Sequence, residues 1–204
     1  MKKSKNEKTE VQILEAAKNV FQFKGMDGAR MQEIADKAGI NKAMLHYYYR
    51  SKQLLFEAVF NQAFSLLAPQ LNVILNDDSS IEEKVKNFTS NYTTFMMKHP
   101  YLPNFIIQEL NRNQDFIKKL KENTGFPNLE KFKNKVDEEV NKGLLKPIEA
   151  DQLFVNIIAL NIFPFLGKPL IKAFTDKDEK AYLEFVEDRK TEVANFIINA
   201  IKNT

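Results

Sequence analysis

A chain of 204 residues, 44% of them hydrophobic, with a formal net charge of +3, is long and apolar enough for one or two globular domains and is not a disordered chain. It has no cysteine, which excludes disulfides, thiol chemistry and cysteine–metal sites. No uninterrupted apolar run reaches about 18 residues, and the basic start MKKSKNEKTE is not followed by the apolar segment of a secretory signal, so the expected location is the cytoplasm.

The charge is unevenly placed. Residues 1–52 carry 11 Lys/Arg against 6 Asp/Glu, a balance of +5, and residues 53–204 carry 19 against 21, a balance of −2. A basic head on a mildly acidic body points to a head that meets a polyanion, with a chance fluctuation as the bland alternative. The expected division is a head over residues 1–52 and a body over 53–204.

Residues 1–8, with Lys2, Lys3, Lys5 and Lys8, read as a frayed terminus or as an arm that tracks phosphates. From Thr9 to Lys24 the apolar positions Val11, Ile13, Leu14, Ala17, Val20 and Phe21 predict an amphipathic helix, capped by Thr9 and closed at Gly25. A short helix over Met31–Ala38 follows, with Ile34, Ala35 and Ala38 on one side. Gly39 then stands where the chain needs a left-handed residue, and Asn41 is placed to cap a second short helix. Two short helices joined by a Gly turn make either a helix-turn-helix, whose second helix enters the major groove, or an ordinary helical hairpin.

The second helix separates by angle at about 100° per residue. With Leu45 inward, Asn41, Tyr48 and Tyr49 fall within about 60° of it. Ala43 and Tyr47 point nearly opposite, and Met44 and His46 lie on the flanks. Lys42 sits at the N-terminal end, where recognition helices meet DNA. Small and apolar side chains suit contact with bases and thymine methyls; Tyr and Lys suit phosphate.

The body reads as helices throughout, with no alternating strand pattern. They are predicted over Gln53–Leu75, interrupted or kinked at Pro69; from Ile81 to near Pro100, after the Asp77–Ser80 loop and cap signal; over 101–112; over Leu129–Gly143; over Glu149–Leu170, kinked at Pro164 and Gly167; and over Glu179–Ile201. The fold class is all-α.

The segments ILEAAKNVFQFKG and MQEIADKAGINKAMLHYYYRSKQLL resemble the DNA-binding domain of the TetR (tetracycline-repressor-like) transcription regulators. The resemblance rests on Ile13, Leu14, Ala16, Ala17, Phe21, Gly25, Ile34, Ala35, Ala38, Gly39, Ile40, Lys42, Leu45, Tyr48, Tyr49, Ser51, Lys52 and Leu55. It covers residues 9–60; the remainder is similar only in length and helical character. The resemblance implies that Lys42, Ala43, Met44, His46, Tyr47 and Tyr48 meet DNA and that Lys52 meets a phosphate. With Arg30 and Asn41 these form the candidate DNA-binding set. The chain departs from the family pattern in having Ala29 and Arg30 where a capping Thr or Ser is frequent, Ala43 and Met44 where Gly and Thr are common, and His46 for a frequent Tyr.

The resemblance also implies that the helical body binds a small effector and forms a homodimer, which the last two helices are apolar enough to support. Candidate ligand residues are Phe88, Tyr92, Phe95, Met96, Phe105, Ile106, Glu109, Phe132, Phe154, Ile158, Asn161 and Phe165, with ordinary core as the alternative for each. Glu109, if buried, needs a cationic ligand or Arg112 as partner; solvent exposure is the simpler expectation. Asn156 and Asn161 read as pocket donors or as satisfied core groups.

The implied function is a dimeric repressor on a palindromic operator in double-stranded DNA, released by a largely apolar small molecule. The alternative is a structural, nucleoid-associated DNA-binding protein whose body binds a protein partner and no effector. A helical enzyme is a remote third reading. No H-E-x-x-H cluster or Gly-rich phosphate loop appears, and no catalytic residue, metal or cofactor is implied.

Overall fold

The computed structural model describes residues 5–112, 118 and 128–203. Among these the fold is all-α: α1 (Lys5–Gly28), α2 (Met31–Lys37), α3 (Lys42–Tyr48), α4 (Lys52–Asn76), α5 (Ile81–Lys98), α6 (Leu102–Arg112), α7 (Glu130–Asn141), α8 (Ala150–Leu166), α9 (Lys168–Thr175) and α10 (Glu179–Ile201). Residues 1–4 of the predicted arm lie outside the described residues.

The chain divides into two compact units, Met1–Ser65 and Leu66–Thr204. The division falls inside α4 and not at residue 52. Leu55, Phe56, Val59 and Phe60 from the first half of α4 are buried, and Phe56 packs edge-on against Phe21 with centroids 4.9 Å apart. By length and composition alone α4 would also pass as a membrane span, a property shared by core helices.

In the first unit, α1 spans Lys5–Gly28, so Thr9 lies within the helix and not at its N-cap. Its helical geometry breaks at Gly25, whose φ of 63° is open to glycine at little cost. The stripe Ile13, Ala16, Ala17, Val20 and Phe21 is buried, as are Ile34 and Ala35 of α2 and Leu45 of α3; α2 packs against both α1 and α3.

In the second unit, α5 starts with a capping box: Ser80 Oγ accepts from Glu83 N and the Glu83 carboxylate accepts from Ser80 N. α4 runs on through Pro69, where a kink or break was predicted, and supplies no cation of its own to its last turn. Neighbours do so instead. Lys84 of α5, 1% exposed, donates to the carbonyls of Ile74 (3.2 Å) and Asp77 (2.7 Å) and to the Asp77 carboxylate. Lys131 of α7 donates to Asn76 O at 2.7 Å. Cations suit a helix C-terminus because the last carbonyls have no helical donors and carry partial negative charge.

α8 packs against α5, α6, α7, α9 and α10, which explains an apolar sequence without one preferred face. Its predicted kink resolves into a 75° bend at Gly167 that starts α9; Pro164 stays inside the helix. A proline there leaves Leu160 O without its i+4 donor. Arg189 of α10 fills the gap, Nη2 donating to Leu160 O at 2.9 Å, and Tyr182 Oη donates to Pro164 O at 2.5 Å. α10 begins on Asp178, whose carboxylate accepts from Ala181 N at 2.8 Å.

Candidate nucleic-acid interface and effector region

The turn between α2 and α3 is built as the residue types require. Gly39 has φ 68°, and Asn41 Oδ1 accepts from Met44 N at 2.7 Å. The cap satisfies one of the orphan N–H groups that open α3. Leu45 is fully buried, while Lys42, Ala43, Met44, His46 and Tyr47 are exposed, Tyr47 at 79%. The inward and outward faces therefore fall where the angular reading put them. Asn41 itself is exposed but is engaged in capping.

Tyr48 and Tyr49, on the edge of that reading, tie α3 to the start of α1. Tyr48 Oη donates to Asn6 Oδ1 at 3.0 Å and Tyr49 Oη to Glu10 Oε1 at 3.2 Å. Burial first, then the charge and hydrogen bond of Glu10, push the Tyr49 hydroxyl up to about 12, so it stays a neutral donor. The Tyr47 ring meets Tyr48 edge-on with centroids 5.5 Å apart, so the anchored Tyr48 supports the exposed Tyr47. Asn6 and Glu10 had no sequence signal as partners of α3, because their contacts span 42 and 39 residues.

Arg30 occupies the N-cap position of α2, is exposed, and makes no side-chain cap bond. In place of a capping hydroxyl, the first turn of α2 has Glu33 paired with Lys24 at 2.7 Å. Lys52, expected at a phosphate, turns inward: Nζ donates to Ala29 O at 3.1 Å and Asp27 O at 3.3 Å. It holds the linker that precedes Arg30.

Residues 13–59 match the model of the family described as bacterial regulatory proteins, tetR family. The head of the chain carries a TetR-family DNA-binding domain. The HTH-type transcriptional regulator RutR of Escherichia coli O157:H7 is 26% identical over 200 residues, covering 93% of this chain and 89% of RutR. The HTH-type transcriptional repressor NicS of Pseudomonas putida is 27% identical over 94 residues, 46% of this chain and 44% of NicS. Among solved structures, a TetR family transcription regulator from Marinobacter aquaeolei VT8 superposes with TM-score 0.66 at 19% identity, covering 98% of each chain. A TetR-family transcriptional regulator from Haemophilus influenzae gives 0.62 at 19%, covering 99% of this chain and 100% of the other; these likenesses concern the fold. The chain is a DNA-binding transcriptional regulator with a helix-turn-helix head and a helical body.

In the body, Phe88, Tyr92, Met96, Phe105, Ile106, Glu109, Phe132 and Asn161 are buried, and Phe95, Phe154, Ile158 and Phe165 are partly so. Phe88 stacks on Tyr92 at 4.9 Å, and Phe132 meets Phe154 edge-on at 6.0 Å. Burial holds the Tyr92 hydroxyl well above its ordinary value. None of the twelve lines the cleft of about 230 Å³ between Ser80, Glu139, Leu145 and Ile201.

Glu109 corrects an expectation. It is 3% exposed and not at solvent, because α6 turns Leu102, Phe105, Ile106 and Glu109 inward together. Its partner is Arg112, one turn on, in a two-pronged pair: Nε to Oε2 at 2.9 Å and Nη2 to Oε1 at 3.1 Å. Asn156 is exposed and Asn161 is 3% exposed.

Proposed function

We propose that the chain is a cytoplasmic, dimeric repressor that reads a palindromic operator and is released from it by a small-molecule effector. The observation that carries the reading is α3: a capped short helix, pinned by Leu45, Tyr48 and Tyr49, that offers Lys42, Ala43, Met44, His46 and Tyr47 to solvent. One helix of this length reads few base pairs, and a twofold pair reads two half-sites about 34–36 Å apart or at a related spacing. Dimerisation through α8 and α10 is supported by Val155, Phe163, Leu183 and Phe196, large apolar side chains left exposed on those two helices. An effector that binds one body conformation better than the other lowers operator affinity by that difference.

The second reading, a structural DNA-binding protein with a protein partner, draws on α9, which has no buried residue and exposes Phe174 at 81%. A gel-shift against palindromes from upstream of the chain's own coding region, at rising salt, tests the repressor. Sequence preference over random duplex is the expected result. Equal affinity for both duplexes overturns it in favour of the structural protein.

A further inference from the structure

Among the described residues, the buried charged side chains of the body, Lys84, Glu109 and Glu139, have counter-charges within the chain. Glu109 is held by Arg112 through both carboxylate oxygens. Lys84 is held by two carbonyls and the Asp77 carboxylate. Glu139 accepts from Ile81 N at 3.1 Å and lies 3.7 Å from Lys135. A charged molecule placed beside these three would lose its hydration and meet charges already compensated, which is unfavourable; the Arg189 guanidinium, whose buried Nε has no hydrogen-bond partner, stands apart from them.

One buried acceptor is different. Asn161 Nδ2 donates to Ile157 O at 2.8 Å and reaches Thr89 Oγ1 of α5 at 3.3 Å, while Oδ1 is buried with no partner. A flipped amide is excluded, because it would set Oδ1 against the Ile157 carbonyl oxygen; the unpartnered atom is therefore an acceptor. Thr89 is followed on the same helix by Tyr92, stacked on Phe88, so aromatic surface lies within a turn of the point where Asn161 is held.

Resting on the effector reading above, we propose that the effector is an uncharged, largely apolar molecule with an N–H or O–H group that donates to Asn161 Oδ1. Because Oδ1 is sealed in this structure, the donor reaches it only when α5 and α8 part locally. Binding thus selects a body conformation different from this one.

The test uses the full chain and two matched sets of probes: benzamide, benzoate and benzamidinium, then decanamide, decanoate and decylammonium. Each set keeps shape and changes charge. Calorimetric titration is expected to show one of the amides binding at least about tenfold more tightly than its acid and its cation, a difference of about 1.4 kcal/mol. In the wild-type protein the Asn161 side-chain amide resonance moves on adding that amide. In Asn161→Leu, with the helical circular dichroism unchanged, its affinity falls about tenfold. An acid or cation binding as tightly as the amide overturns the proposal. So does a bound amide that leaves the Asn161 resonance still, a result assigning Oδ1 to an ordered water. If none of the six binds, the effector reading itself falls, and not merely its chemistry.

Discussion

Replacing Lys84 by Met keeps the aliphatic stem in place and removes the ammonium from the end of α4. Three interactions go: those to Ile74 O, to Asp77 O and to the Asp77 carboxylate. Removing one member of a fully buried ion pair costs about 3–5 kcal/mol, chiefly through the charge left behind. Here the partner carboxylate is 36% exposed and rehydrates, so the lower end applies, about 3 kcal/mol, most of it from the stranded carbonyls. For a chain of this size that lowers Tm by roughly 6–12 °C. Asp77→Asn leaves the carbonyl caps intact and is expected to cost under about 1 kcal/mol. Urea and thermal unfolding at one protein concentration measure both. A Lys84→Met change within about 0.5 kcal/mol of wild type, or one equal to Asp77→Asn, would refute the capping role.

Acid supplies a second check on the same site. Burial acts to raise the Asp77 carboxyl, but the hydrogen bonds from Lys84 and Ser79 and the Lys84 charge outweigh it and hold it below its ordinary value of 3.8. A depressed carboxylate contributes stability above its unfolded value, which is lost as pH falls through the folded one. The gap between wild type and Lys84→Met therefore narrows below about pH 4.

Lys52→Met is expected to weaken operator binding without changing the slope of log affinity against log salt, and to speed amide exchange across 27–30. A slope reduced by about 0.9 with unchanged exchange would return Lys52 to a phosphate. Arg189→Met strands Leu160 O and costs about 1–2 kcal/mol by urea unfolding. In a Pro164→Ala background the restored helical N–H bonds Leu160 O, so the same substitution costs less; equal costs in both backgrounds count against the arrangement. Lys42→Ala and Tyr47→Ala, both at exposed positions, are expected to abolish operator binding in a gel-shift while stability stays within about 0.5 kcal/mol; retained affinity would move the reading face elsewhere.

The parts of this fold that were legible in the sequence are those decided within a few residues. The Gly39 turn, the Asn41 cap, the inward Leu45, the Ser80 capping signal and the limits of α10 all depend on local chemistry, and all stand as read. What was not legible depends on where distant side chains arrive. Lys52 was expected at a phosphate, and that Nζ also reaches the carbonyls of Asp27 and Ala29 is set by a linker some 23–25 residues earlier in the chain. Glu109 looked like a solvent-facing acid because i,i+3 pairing with Arg112 does not say which side of α6 is covered. Pro69 and Pro164 carry the same local warning of a broken helix, and neither breaks one. Pro164 is tolerated because Arg189, on another helix, supplies the missing donor.

α8 shows why an even distribution of apolar residues is the hardest pattern to assign. Without a polar face, its sequence says only that several sides will be covered, and five helices cover them. Val155 and Phe163 are what those five leave over, beside Leu183 and Phe196 of α10. That remainder is a property of the packed body and of no single helix. It is also the surface through which the proposed dimer would pair. In the proposed dimer, the residues that would fix its geometry, and with it operator spacing, are therefore set by the same packing that buries Asn161.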